Sequence, residues 1–170
     1  MYNRLQSDEA ITVADVVAIC RIMKYNLRLF MNTSVFLISM RPILASLALI
    51  DVLLEEDGVF ILTQCLSTYY HNHSVAYHSL WALLKLCALR PATVGTLTRI
   101  DGIDRLLHRV SLECSGCESR KDLALQLLVM LFVSGVSCCF RSLCSAMVVV
   151  TRTCTGAVCS RLIKSILRSC

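Results

Sequence analysis

Glycine and proline are scarce in this chain, at 6 and 2 of 170 residues. With so few chain breakers, and with many Leu, Ala and Val residues, helices are favoured over sheets. Acidic residues are missing altogether beyond Asp122, while Arg141, Arg152, Arg161, Lys164 and Arg168 lie in that stretch. The net charge of +5 therefore sits in the tail, and the rest of the chain is nearly neutral. A nucleic-acid footprint interleaves cations with aromatics, and past its first apolar run the tail offers only Phe140. Nucleic acid is not an expected partner. The chain also lacks a Gly-rich phosphate loop, a GxSxG elbow and an HExxH pair. Asp57 and Asp101 each precede a glycine at a turn, which explains them without general-acid work. The expectation is a non-enzyme with no cofactor and no small-molecule substrate.

What is present is apolar. Hydrophobic residues make up 56% of the chain, and its mean hydropathy is +0.65. One domain of this length can bury a real core. A solenoid piece covered by neighbours, a membrane segment and a poorly folded tail would each explain the excess. The 11 Cys residues would suggest a disulfide framework in a secreted chain. The first residues, MYNRLQSDEAITVAD, are polar and acidic and lack a signal layout. Cys20, Cys65 and Cys87 sit inside apolar helical patterns, where free Cys acts as a small hydrophobe. A reduced, cytoplasmic or nuclear protein is the reading.

Taken in order, residues 7–31 read as a helix with Ser7 as N-cap and Asp8 and Glu9 in its first turn. Residues 32–34 read as a break, and the apolar run 35–40 ends at Arg41-Pro42. Helices follow over 43–55, 59–66 and 73–89, with Gly58 as a left-handed stop and 67–72 as a polar loop. The pattern returns as helices over 93–100, 103–110 and 120–132, with Gly102 as the stop and 111–119 as the loop. Gly58 with Gly102, Leu62 with Leu106, and Leu83 with Leu127 share an offset of about 44 residues. A helical period of roughly 40 to 47 residues belongs to armadillo and HEAT arrays, whose thin units share one core.

The residues themselves then carry a resemblance. GTLTRIDGIDRLL (95–107) resembles an armadillo first helix, glycine turn and second helix. VAYHSLWALLKLCA (75–88) resembles a third helix, with Val75, Ser79, Leu83 and Leu86 at its inward positions. The match covers about 90 residues. It implies an all-α fold: a short right-handed α-solenoid of about two to three armadillo-like or HEAT-like units. Residues 1–42 form N-terminal helices with a degenerate unit, residues 43–133 the repeats, and residues 134–170 a basic Cys-rich tail.

In that family third helices line a groove for extended peptides. Importin-alpha proteins carry Trp there with Asn four residues on; here Trp81 is followed by Lys85, and the next unit offers Leu125 and Val129. Lys85 would repel a basic import peptide. A cationic position is more like beta-catenin, whose partners are acidic. His73, Tyr77, Trp81 and Lys85 fall every fourth residue and share one stripe, of the types found at binding hot spots. Half-buried packing with a solvated Lys85 is the plain alternative. The expected function is a scaffold that binds a protein partner, in particular an acidic peptide segment, through His73, Tyr77, Trp81, Lys85, Leu125 and Val129.

Two other functions remain open on the sequence. Residues 123–140 are uncharged for about 18 residues, the lower limit for a membrane helix, so 123–150 is a candidate anchor. Cys114 and Cys117 form the only CxxC, so the second alternative is a Cys-rich metal or redox module: with His108 they are weak metal candidates lacking a fourth ligand, and a redox pair would want a βαβ unit that this sequence lacks. His71 and His73 lack a third ligand nearby and read as a polar loop. Residues 134–170 hold six of the 11 Cys residues and fit no capping repeat. They read as the non-native end of a truncated or alternatively spliced piece.

Overall fold

The computed structural model describes residues 11–26, 30–112 and 118–133. All eight elements among them are helices: α1 (Val13–Asn26), α2 (Phe30–Ile43), α3 (Leu47–Glu55), α4 (Gly58–Tyr69), α5 (His73–Leu89), α6 (Ala92–Thr98), α7 (Ile103–Leu112) and α8 (Glu118–Val133). The all-α expectation holds for these residues. The expected N-cap Ser7, the Cys114/Cys117 pair and the tail 134–170 lie outside them.

Local chemistry explains the start of α1 and both ends of α5. Thr12 caps α1: its hydroxyl accepts from the Asp15 amide at 3.3 Å, and the Asp15 carboxylate accepts from the Thr12 amide at 3.0 Å. Two orphan donors of the first turn are thereby satisfied reciprocally. Asn72 caps α5, its side chain accepting from the Val75 amide at 3.1 Å. That helix stops at Arg90, which leaves helical geometry (φ −135°, ψ 88°) because Pro91 follows.

Three expected boundaries are corrected. Residues 32–34 do not break the chain but lie within α2, where Thr33 is fully buried; packing outweighs a polar triplet's weak preference. Pro42 sits in the last turn of α2 rather than ending it, and the chain reaches α3 only after Ser46. α4 runs on to Tyr69, so the polar connection to α5 shrinks to residues 70–72.

Gly58 is corrected as well. The left-handed residue at that turn is Asp57 (φ 58°), and Gly58 opens α4. Asp tolerates this conformation better than most residues. What fixes Gly58 is space: a Cβ there would stand 2.5 Å from Leu53 Cγ and 2.6 Å from the Leu53 carbonyl oxygen. Gly102, by contrast, does take positive φ (73°) and has only the Arg105 side chain near it.

A single apolar cluster runs through all eight helices, with Phe36, Met40, Leu53, Leu62, Leu80 and Leu83 among its largest fully buried side chains. Each such side chain contributes roughly 1.5–3 kcal/mol on burial. Ion pairs such as Lys24–Asp57 at 3.1 Å are partly or largely exposed and contribute far less. α5 lies between α2 and α8 and packs on both, while α1 packs on α4 and α7 on α8.

These three neighbours bury the same positions. In α2 the buried set is Thr33, Phe36, Leu37, Ser39, Met40 and Ile43. It maps onto Ala76, Ser79, Leu80, Ala82, Leu83 and Leu86 of α5 at an offset of 43 residues. A further offset of 45 carries Ser79, Leu80, Ala82, Leu83 and Leu86 onto Ala124, Leu125, Leu127, Leu128 and Leu131 of α8. The sequence offset of 44 thus misaligns α5 with α8 by one residue, which is about 100° around a helix.

Candidate functional site

Helix α5 is amphipathic in cross-section. Val75, Ala76, Ser79, Leu80, Ala82, Leu83, Leu86 and Cys87 are buried, and His73, Tyr77, Trp81 and Lys85 fall on the remaining arc. His73 and Lys85 are exposed, and Tyr77 and Trp81 are half-buried. Trp81 lies against the edge of the core cluster with its other side in solvent. An amphipathic ring suits such a boundary. Tyr77 meets His78 edge-on, with ring centroids 5.4 Å apart and planes at 80°.

The corresponding arcs of α2 and α8 flank it. At the offsets given by burial, Trp81 corresponds to Ile38 in α2 and to Gln126 in α8. Ile38 is 68% exposed, as large apolar side chains on other helices also are, Leu47 and Phe60 among them. Lys85 corresponds to Pro42 and Met130, and Tyr77 to Ser34 and Asp122. Leu125, expected in the row at the 44-residue spacing, is instead buried in the core. Val129 is half-buried. Sequence reasoning missed Ile38 because α2 was cut at residue 34, and it missed Arg41 as a neighbour of α5.

Charge is uneven across the row. Arg41 and Lys85 are exposed on adjacent helices, and neither has an ion-pair partner among the described residues. His78 on α5 titrates below its ordinary value, first because burial disfavours its charged form and second because of the Arg41 charge. Asp51 on α3 is engaged elsewhere, accepting from Arg90 Nε and Nη2 at 2.8 and 2.9 Å. Arg90 holds the Asp51 carboxyl below its ordinary pKa.

Of the other candidate chemistries, that of Cys114 and Cys117 lies outside the described residues. Burial raises the thiols of Cys20 to about 11, Cys65 to about 12 and Cys87 to about 11, so all three stay protonated and unreactive at neutral pH. His108 lies half-buried on α7, its carbonyl accepting from the Ser111 hydroxyl at 2.7 Å. Among the described residues no group of three or more His, Cys, Asp or Glu side chains is placed to hold a metal ion. His71 lies against the Tyr70 ring at 3.6 Å, and the neighbouring Asn72 is spent as the cap of α5.

The candidate anchor enters the structure only through α8. Among the described residues no helix is long and apolar enough to cross a membrane. α8 carries Arg120, Lys121 and Asp122 in its first half, and Arg120 reaches back to the Tyr70 carbonyl at 3.3 Å. Arg109 covers the ring of the same Tyr70 at 4.8 Å, so the α4–α5 connection is tied to α7 and α8. Residues 134–150 of the candidate anchor lie outside the described residues. Comparison with protein-family models, characterised proteins and solved structures yields no match.

Proposed function

We propose that this chain is a short armadillo-like α-solenoid and a non-enzymatic scaffold, binding a segment of a partner protein across the row of α2, α5 and α8. One observation carries the reading. The three helices repeat a buried pattern, while their outward positions do not repeat and include the exposed Ile38 and the half-buried Tyr77 and Trp81. A stack of thin units explains the repeated half, because each unit dries its apolar side on the next. Selection for fold alone leaves the other half free to be polar. Large aromatic and cationic side chains at exposed helix positions are the types that dominate binding energy. The buried, protonated thiols suit a reducing compartment, cytoplasmic or nuclear.

The test is affinity capture with the full chain and with the variant Trp81→Ala/Lys85→Glu. Partners retained by the wild-type chain should be lost by the variant, while far-ultraviolet circular dichroism stays unchanged. Equal capture by both chains would remove the row from consideration.

A further inference from the structure

We propose that the Asp101-Gly102 turn, between α6 and α7, is a site of spontaneous covalent rearrangement to isoaspartate, and that the fold protects the chain's other Asp-Gly pair, Asp57-Gly58, from the same reaction. The inference is independent of the row formed by α2, α5 and α8.

The chemistry is open to any aspartate followed by glycine. The Gly102 nitrogen attacks Cγ of the protonated Asp101 side chain, and its proton leaves with the carboxyl hydroxyl as one water, closing a five-membered imide. A solvent water then opens that ring. Where it breaks the bond from the nitrogen to the Asp101 main-chain carbonyl carbon, the chain runs on through Cγ and the former carbonyl becomes a free carboxylate. No electron is transferred, and water is the only co-reactant. Glycine favours the attack because no Cβ shields its nitrogen.

Closure requires the peptide plane after the aspartate to turn about the Cα–C bond until the nitrogen lies beside the side chain. At Asp57 the fold opposes this turn. Its ψ of 30° directs the Gly58 nitrogen away from the Asp57 side chain. The Asp57 carbonyl accepts from the Ile61 amide at 3.0 Å, the first hydrogen bond of α4. The carboxylate is held 3.1 Å from Lys24 Nζ. Gly58 itself is buried, so close to Leu53 that a Cβ would not fit.

Asp101 carries no comparable restraints. Among the described residues neither its carbonyl nor the Gly102 amide is hydrogen bonded, so the plane between them turns without breaking a bond. The Asp101 side chain is fully exposed and meets Arg105 Nη2 only at 3.8 Å, a weak pair with both partners in solvent. Around Gly102 the Arg105 side chain is the sole neighbour of a notional Cβ, at 3.5 Å. Closure at Asp57 therefore waits for local opening of the α3–α4 turn, whereas the α6–α7 turn reacts from the folded state. The product adds one carbon to the main chain ahead of α7.

The experiment holds the full chain folded at neutral pH and physiological temperature for several weeks, with a parallel sample unfolded in guanidinium chloride. Both are digested with an endoproteinase that cleaves before Asp and spares isoaspartate, and uncleaved junctions at 101 and 57 are quantified by mass spectrometry. In the folded chain isoaspartate should form at 101 about tenfold or more faster than at 57, because Asp57 reacts only from its opened fraction. In guanidinium chloride the two rates should converge. The imide, one water lighter, should appear in the peptide spanning 101 and be lost in Asp101→Glu, whose longer side chain does not close the same ring. Equal rates in the folded chain, a faster rate at 57, or no isoaspartate at 101 would each overturn the proposal. A ratio that persists in guanidinium chloride would assign the difference to neighbouring residues in the sequence and overturn it as well.

Discussion

On its outward arc α5 carries Tyr77, Trp81 and Lys85, where α8 carries Asp122, Gln126 and Met130. Their buried arcs nevertheless match position for position, from Ser79 and Ala124 to Leu86 and Leu131. The difference separates two demands on one helix type. Positions that recur are those needed to dry a shared core, the small buried Ser79 and Ala124 among them. Positions that do not recur are free of that demand. Where they hold a half-buried tryptophan and an unpaired lysine, packing alone does not account for the choice.

The largest expected effect tests the matching half. Leu83→Ala in α5 and Leu128→Ala in α8 remove equivalent core side chains, and each should cost about 2–5 kcal/mol in denaturant unfolding. A much smaller cost at Leu128 would show that α8 does not share the core of α5. The glycines come next. Gly58→Ala forces a Cβ into Leu53 and should cost about 1–3 kcal/mol. Gly102→Ala meets only positive φ, about 1–2 kcal/mol. Gly95→Ala, inside α6 with open space around it, should stabilise by about 0.5–1 kcal/mol. Equal costs at Gly58 and Gly102 would mean that the two turns are alike after all.

A smaller effect sharpens how α3 is tied to the end of α5. Asp51 has its pKa lowered by Arg90, so the stabilisation is present above the ordinary carboxylate value of 3.8 and is lost as pH falls through the depressed one. Arg90→Ala should melt below the wild-type chain at pH 7, and the two curves should converge as the pH drops below about 4. A constant gap across that window would assign the loss to packing of the Arg90 stem instead.

Much of the helical layout was legible because its punctuation is local. Arg90-Pro91 and Asn72 bound α5 where the sequence placed it, since proline geometry and side-chain caps act within a few residues. The α2 boundary was not legible: Asn32, Thr33 and Ser34 look like a turn, and only burial of Thr33 against other helices keeps them helical. With α2 cut short, Ile38 and Arg41 had no visible relation to Trp81. The register of α8 was missed for a related reason. Nothing local in the sequence fixes the spacing between α5 and α8, and a difference of one residue in it moves Leu125 from the surface arc to the core. Periodicity gives the phase within a helix but not the phase between helices.

The central claim is that Trp81 belongs to a face the fold does not need. Thermal melting of Trp81→Ala beside Leu83→Ala, followed by circular dichroism, tests it most directly. Leu83→Ala should lower the midpoint by roughly 5–15 °C, and Trp81→Ala should stay within a few degrees of wild type. If Trp81→Ala melts as low as Leu83→Ala, the indole is core, and the recognition surface built around it is contradicted.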